Sequence, residues 1–242
     1  MSKIRKSLGH VSGTSRLLSI VCFALTPISL PGQARSDVSP VISVNQLNAP
    51  EKARNAMQKA VEAWHLNKLA DANIYIDKAL RAYPRYAAAF TLHGIIAIDS
   101  DPQQASEDIE KAIEYDPNYV PALLVLGTVY NRLGRFDDAA RTLDRALLFS
   151  PTSWQGYYEM SVASLGKNDF RAALRLVEKA SSLNPTRLPG VHMVKGLAFF
   201  ALHNKTAATS ELTIFLEEAP NDRAAVKARE ILEKLVAPSA EQ

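Results

Sequence analysis

Apolar side chains recur three and four residues apart from about residue 52 onward, and this spacing is typical of amphipathic helices. Residues 120–153 show the spacing most clearly. Leu123 and Leu126 share one face of a predicted first helix, and Leu143 lies on the inner face of a predicted second helix. The pattern predicts an all-helical chain in which short breaks separate paired helices.

The break between these two helices contains residues with a predicted local role. Gly134 is predicted to end the first helix, because a residue without a β-carbon adopts the left-handed conformation at little cost. Asp137 is predicted to cap the second helix, and Pro151 is predicted to end it. Together these residues predict a helix, a tight turn and a second helix that packs back on the first.

The same pattern repeats along the chain, and prolines mark its period. Successive prolines lie 33, 34, 34 and 35 residues apart: Pro84, Pro117, Pro151, Pro185 and Pro220. Alanines lie five residues before the first four prolines: Ala79, Ala112, Ala146 and Ala180. A second set lies seven residues further upstream in all five copies: Ala72, Ala105, Ala139, Ala173 and Ala208. We therefore predict five helix pairs, at residues 53–86, 87–119, 120–153, 154–187 and 188–222.

Two copies depart from the regular pattern. The second copy is one residue short between Gly94 and Ala105, and Pro102 is predicted to open its second helix. The fifth copy has an extra residue near Pro189 and carries Phe215 where the other copies carry alanine. We expect the second helix of the fifth copy to be splayed or to meet a different neighbour.

The third copy resembles the tetratricopeptide repeat family. The residues that match the family pattern are Gly127, Tyr130, Gly134, Ala139, Ala146 and Pro151. The small residue of the first helix is Ala60, Gly94, Ser161 and Gly196 in the other copies, and Asn67 and Asn168 replace the turn glycine in two of them. The resemblance implies an all-α fold, a right-handed superhelical solenoid of about five helix pairs. Residues 223–236 are predicted to form a C-terminal capping helix, and residues 237–242 a tail.

Residues 1–36 have the layout of a secretory signal peptide. Basic residues come first, an apolar run extends from Leu17 to Leu30, and small residues suited to cleavage follow. An uncleaved membrane anchor is the main alternative, and a mitochondrial presequence is a weaker one. Residues 37–52 are predicted to form a linker, with residues 41–44 pressed onto the first helix pair.

The net charge does not indicate nucleic-acid binding. The chain carries a formal charge of +3, but residues 1–34 contain four basic residues and no acidic residue. The remainder of the chain holds 24 basic and 25 acidic residues. No electrostatic argument for binding a polyanion is left once the predicted signal is set aside.

Few residues suggest catalytic chemistry. The single cysteine, Cys22, lies in the predicted signal, and the histidines beyond the signal do not have the spacing of metal ligands on one helix. The sequence has no phosphate-binding glycine loop and no nucleophile elbow. We therefore expect no enzymatic activity, no cofactor and no metal site.

The resemblance implies a partner groove on the concave surface, lined by the first helix of each pair. By register with the repeats, its residues are Met57, Val61, Trp64, Thr91, Ile95, Ile98, Leu124, Thr128, Asn131, Arg132, Tyr158, Val162, Leu165, Met193, Leu197 and Phe200. This row is apolar with a polar patch in its middle, so it suits an amphipathic helix or an extended apolar peptide. Two alternatives are that the row is buried core or that the linker fills it.

These features predict a non-catalytic adaptor of the bacterial cell envelope. Its partner is expected to be another protein, with membrane contact only indirect or through an uncleaved signal. The expected location is the periplasm, or the periplasmic face of the inner membrane if the signal stays attached. A holdase chaperone and an accessory subunit of an envelope synthase, secretion or pilus complex are the alternatives.

Overall fold

The computed structural model of the chain describes residues 43–184 and 188–236. The predicted signal, residues 37–42 of the predicted linker, Cys22, Pro185 and the predicted tail lie outside the described residues. Within the described ranges the chain forms twelve α-helices and no strand. The all-α fold class predicted from the sequence is therefore confirmed.

The helices follow one another with short connections. They are α1 (Val44–Leu47), α2 (Glu51–His65), α3 (Leu69–Ala82), α4 (Ala87–Ala97), α5 (Pro102–Tyr115), α6 (Val120–Arg132), α7 (Phe136–Phe149), α8 (Trp154–Gly166), α9 (Phe170–Leu183), α10 (Pro189–Ala201), α11 (Lys205–Glu218) and α12 (Ala225–Val236). Each predicted repeat thus contains one helix pair, from α2–α3 to α10–α11. Helix α2 begins at Glu51, inside the predicted linker.

The described residues form two compact units, and the boundary between them falls within α6. The N-terminal unit extends to Val129, and the C-terminal unit begins at Tyr130. The N-terminal unit contains α1 to α5 and most of α6. The C-terminal unit contains the end of α6 and all later helices.

Four of the five pairs turn through a residue in the left-handed conformation. Gly134 has a φ of 71°, and Asn67 and Asn168 have φ values of 56° and 63°, as their positions in the repeat predict. His203 adopts the same conformation, with a φ of 59°, in the turn of the fifth pair. The second pair turns differently, because Asp101 caps α5 and Pro102 occupies its first position, as predicted.

Helices end just before the repeat prolines. Helices α3, α5 and α7 stop two residues ahead of Pro84, Pro117 and Pro151, and α11 stops at Glu218 ahead of Pro220. Proline has no amide hydrogen to donate, and it disfavours helical backbone in the residue before it. The prolines therefore set the length of the second helix in each of these pairs.

The small repeat positions let the paired helices approach closely. Every alanine of the two repeated sets is fully buried, as is Ala60. A β-carbon at Gly94 would lie 2.6 Å from the Ile109 Cδ1 atom, and one at Gly196 would lie 2.5 Å from the Leu212 Cδ2 atom. A large side chain thus stands four residues after the first repeated alanine of each second helix and, in these two pairs, covers a glycine. The members of this set are Ile76, Ile109, Leu143, Val177 and Leu212, all buried.

The predicted cap of α7 is wrong. Helix α7 begins at Phe136, so its cap position falls on Arg135, and no side chain caps it. Asp137 is already the second residue of the helix, and its carboxylate instead meets the Lys167 Nζ atom at 2.7 Å. The sequence places an acid near the helix start, where the helix dipole favours it, but not at the position that caps.

Phe215 and the capping helix α12 pack against each other. Phe215 is 2% exposed and lies in one cluster with Ala225, Ala228 and Ile231 of α12. Helix α11 is not displaced from its partner, because Leu212 still packs onto Gly196. Of the two outcomes expected for Phe215, the structure therefore shows the second, a different neighbour. The small residues of α12 make room for the large side chain of α11.

The described part of the predicted linker is folded. Residues 43–49 include α1, and they contact Arg54 of the first pair as well as the turns before the second and third pairs. Asn45 is hydrogen-bonded to the backbone of Arg85 and Ala87, and Gln46 to the Tyr119 hydroxyl. These contacts are polar and long-range, so they leave no periodic pattern in the sequence.

Candidate partner-binding faces

More than half of the predicted groove residues are buried in the repeats. The buried members are Met57, Trp64, Thr91, Ile98, Thr128, Asn131, Tyr158, Leu165 and Met193. The half-buried members are Val61, Ile95, Leu124, Arg132, Val162, Leu197 and Phe200. The buried set corresponds to the alternative of an inner row that is core. Only the half-buried set presents surface to a partner without repacking.

In the N-terminal unit, the half-buried apolar residues of the predicted groove lie on α2, α4 and α6. Val61 and Ile95 each follow the small residue of their helix by one position, and Leu124 lies at the start of α6. Thr128 has the same register as Val61 and Ile95, but it is 6% exposed and its hydroxyl donates to the Leu124 carbonyl. The exposed part of this face is therefore aliphatic.

The C-terminal unit repeats this arrangement on α8 and α10. Val162 and Leu197 also follow the small residue of their helix by one position, and both pack at the edge of the core of the fourth and fifth pairs. Leu197 and Phe200 also border the cluster that contains Phe215. Each side chain is thus held by the core on one side and leaves part of its surface accessible, as an anchor for an apolar partner requires.

The predicted polar patch is mainly an internal contact. The Asn131 Nδ2 atom donates to the Glu159 carbonyl and to the Glu159 Oε2 atom, both at 2.9 Å. Both residues are at most 5% exposed. The amide of Asn131 is therefore committed to holding α6 against α8 within the C-terminal unit, and of this patch's polar side chains Arg132 alone is accessible in part.

Tyr158 occupies a tight site beside the start of α10. Burial raises the pKa of its hydroxyl well above the usual range. A β-carbon at Gly190 would lie 2.3 Å from the Tyr158 hydroxyl oxygen. The glycine next to the extra residue of the fifth copy therefore makes room for this tyrosine, which is a packing residue rather than an accessible contact.

A cleft of about 720 Å³ lies in the C-terminal unit between the turns of the third and fourth pairs. It is lined by residues 132–138 and 166–168. Charged groups pair along it: Lys167 with Asp137, and the Arg135 Nε atom with the Asp138 Oδ2 atom at 2.7 Å. The hydrogen bond from Lys167 lowers the pKa of Asp137. No motif in the sequence indicates this cleft, and its paired charges do not favour a ligand of either sign.

Two histidines pair with carboxylates across a helix pair. The His93 Nδ1 atom lies 2.8 Å from the Asp108 Oδ2 atom, and the His192 Nδ1 atom lies 2.7 Å from the Glu211 Oε2 atom. Asp108 and Glu211 occupy the same repeat position, three residues after the repeated alanines Ala105 and Ala208. Among residues 43–184 and 188–236, no cluster of three histidine, cysteine or acidic side chains is arranged to hold a metal. Within the same ranges, no helix has the length and apolar character needed to span a membrane.

The fold and these faces define a class of protein: paired helices that stack as repeats and present the faces of their first helices. A tetratricopeptide repeat family model matches residues 98–160. Over these residues the chain is similar to the tetratricopeptide repeat family. Such repeats are generally non-catalytic modules for protein–protein interaction, and the fold is that of an interaction scaffold.

A curated relative shares part of this sequence. The chain is 34% identical over 83 residues to the cell division cycle protein 27 homolog of Caenorhabditis elegans. The match covers 34% of this chain and only 10% of the relative. It therefore supports the repeat and leaves the rest of that protein without a counterpart here.

Solved structures share the fold. A thermophilic tetratricopeptide repeat protein of Thermus thermophilus superposes with a TM-score of 0.59 at 17% identity, over 77% of this chain and all of that one. YrrB, a tetratricopeptide repeat protein with an unusual peptide-binding site, superposes with a TM-score of 0.55 at 19% identity, over 76% of this chain and 95% of that one. At these identities the likeness shows the fold alone.

Proposed function

We propose that the chain is an exported bacterial adaptor that binds the apolar side of a helix or extended segment of another protein. The observation that carries this proposal is the recurrence of half-buried aliphatic residues one position after the small residue of the first helix. These residues are Val61, Ile95, Val162 and Leu197. Phe200 adds an aromatic side chain, also half-buried, one turn after Leu197.

The chemistry of these faces favours an apolar ligand over a charged one. A site for a carboxylate or phosphate needs several donors that converge. Here the recurring position holds aliphatic side chains, and the amide of Asn131 is used inside the protein. The partner is therefore expected to bury apolar side chains. The peptide-binding site of YrrB adds support, since it shows one member of this fold binding a peptide.

The proposed location rests on the layout of residues 1–36, which is that of a secretory signal. Export fits the single cysteine of the chain, Cys22, which lies inside the proposed signal. A mature chain without cysteine forms no disulfide in an oxidising compartment and needs no thiol protection there.

Site-specific photocrosslinking tests the binding face and the location together. A photoreactive phenylalanine analogue is placed at Val162 or at Phe200, and at Leu202 as a matched control. Leu202 is an exposed apolar residue directly after α10, outside the proposed faces. We expect one crosslinked protein in the periplasmic fraction from Val162 and Phe200 and none from Leu202.

The crosslinked protein is then purified and its affinity measured. Phe200→Ser is expected to weaken binding by about tenfold or more if the aromatic side chain is an anchor, and Leu202→Ser is expected to leave it unchanged. Circular dichroism confirms that both variants keep their helicity. Equal crosslinking from all three positions, or equal affinity of both variants, would contradict the proposed face. Recovery of the product only from the cytoplasm would contradict export, while suppressed aggregation of unrelated clients would favour a holdase.

A further inference from the structure

Residues 43–49 make a set of directional contacts with the repeats of the N-terminal unit. The Asn45 Nδ2 atom donates to the Arg85 carbonyl at 2.7 Å, and the Asn45 Oδ1 atom accepts from the Ala87 amide at 3.0 Å. Arg85 lies in the turn before α4, and Ala87 is the first residue of α4. The side-chain amide of Asn45 therefore pairs with one backbone donor and one backbone acceptor at once. Asn45 and Ala87 are 42 residues apart in the sequence.

Further contacts extend this recognition to the next turn. The Gln46 Nε2 atom donates to the Tyr119 hydroxyl at 3.2 Å, and the Ser43 hydroxyl donates to the carboxylate of Asp116. Arg54 of α2 holds the other end of the segment through the Ala49 carbonyl at 2.6 Å. The segment thus bridges the turns before the second and third helix pairs.

Directional hydrogen bonds help to hold the segment in place, beside the buried Ala49. Leu47, the large apolar side chain of this segment whose burial is described, is 66% exposed, whereas Asn45 is 9% exposed. Buried polar groups are costly unless they are bonded, so the Asn45 contacts fix the position of the segment strongly.

The contact replaces a helix cap that the repeat itself lacks. The residue before α4 is Tyr86, whose side chain makes no capping bond. At the corresponding positions later in the chain, Ser153 caps α8 and Asp222 accepts from the Ala224 amide. The first amide of α4 would lack a side-chain acceptor, and Asn45 supplies it from outside the repeat.

Two tyrosines occupy the edge that the segment covers. Tyr86 and Tyr119 stand at the same repeat position, two residues after the proline, and both are 4% exposed. Burial raises the pKa of both hydroxyls. An aromatic residue at this position packs against its surroundings but cannot cap the following helix. The tyrosine therefore supplies the burial, and the segment supplies the cap.

We infer that residues 43–49 form a clasp, an intrachain ligand that binds the turns before the second and third helix pairs and supplies the missing cap of α4. The clasp closes this edge of the N-terminal unit to other partners. Release of the clasp would remove the acceptor of the Ala87 amide and so uncap α4. This inference does not depend on the proposed binding faces, which lie on other residues.

Hydrogen exchange of the full chain tests the clasp. Asn45→Ala is expected to speed exchange of the Ala87 amide by roughly tenfold, because that amide loses its acceptor. Asn45→Asp retains the acceptor and loses the donor to the Arg85 carbonyl, so it is expected to have a smaller effect. Amides of α9, in the C-terminal unit, are expected to exchange as in the parent chain.

Asn48→Ala is the matched control, since Asn48 is an exposed asparagine on the same segment. It is expected to leave exchange at Ala87 unchanged. Unchanged exchange at Ala87 in Asn45→Ala would overturn the inference. Equal acceleration by Asn45→Ala and Asn48→Ala would also overturn it, because it would show general fraying rather than a specific cap. Acceleration that includes α9 would indicate global destabilisation and would likewise count against a local clasp.

Discussion

The second and fifth helix pairs share one internal joint and differ in how they meet their neighbours. In both pairs a glycine of the first helix lies under a large side chain of the second: Gly94 under Ile109, and Gly196 under Leu212. In both pairs a histidine of the first helix also meets a carboxylate of the second, and the two carboxylates occupy the same repeat position. The joint inside a pair therefore recurs where the repeat sequence recurs.

The neighbours of these two pairs are held by different forces. The second pair begins at the clasp, where directional hydrogen bonds through Asn45 set the contact. The fifth pair ends at α12, where Phe215 fills the space beside small residues. The repeated residues thus determine how two helices pack within a pair. Residues that depart from the repeat determine how these two pairs contact the segments next to them.

Phe215→Ala tests the apolar closure and is expected to have the largest effect. The substitution restores the alanine of the other four copies, yet it removes a buried aromatic side chain and leaves a cavity beside Ala225 and Ala228. Such losses cost about 3–5 kcal/mol. Urea denaturation is expected to show this loss of free energy of unfolding. Leu202→Ala, at an exposed apolar residue, is the control and is expected to change stability by less than about 0.5 kcal/mol. A stable Phe215→Ala variant would show that α12 does not depend on this contact.

Alanine substitution of the two glycines tests whether the shared joint is equally tight. Helix propensity favours Ala over Gly by about 1 kcal/mol, but overpacking at contacts of 2.5–2.6 Å costs about 1–3 kcal/mol. We expect Gly94→Ala and Gly196→Ala each to lower the free energy of unfolding by about 1 kcal/mol. Pairing Gly94→Ala with Ile109→Val, and Gly196→Ala with Leu212→Val, is expected to recover part of the loss. A gain in stability at either glycine would mean that the second helix shifts readily and that the joint is loose.

Much of the fold could be predicted from the sequence because the repeat carries local information. Gly134, Asn67 and Asn168 adopt the left-handed conformation that their repeat position implies. His203 occupies the same position in the fifth pair. Histidine is less often found in this conformation than asparagine or glycine. The sequence therefore indicates where this turn lies but does not indicate its left-handed conformation. The clasp could not be predicted, because a hydrogen bond between residues 45 and 87 has no periodic signature.

The candidate site was predicted less well than the fold. Register places Trp64 and Tyr158 on the first helices correctly, but it does not say how closely the neighbouring helix approaches. Gly190 lets α10 reach the Tyr158 hydroxyl, and both aromatic residues become core. Neighbouring positions such as Val162 and Leu197 stay partly accessible. Burial depends on contacts between pairs, which the sequence of one repeat does not encode.

The pH dependence of stability tests the polar joint of the second pair and is expected to give the smallest effect. The hydrogen bond to Asp108 raises the pKa of His93, and Asp77 adds to this while burial and Lys111 oppose it. Because the folded pKa lies above the unfolded value, the pair contributes its full stability below the unfolded pKa of about 6.5. The contribution is lost as the pH rises through the folded pKa. His93→Gln keeps a neutral donor near Asp108 and removes the titration. The parent chain is therefore expected to melt at a higher temperature than His93→Gln at about pH 5.5, and the difference is expected to shrink at about pH 8.5. A difference that stays constant or grows with pH would show that the His93–Asp108 contact stabilises the second pair by packing rather than by charge.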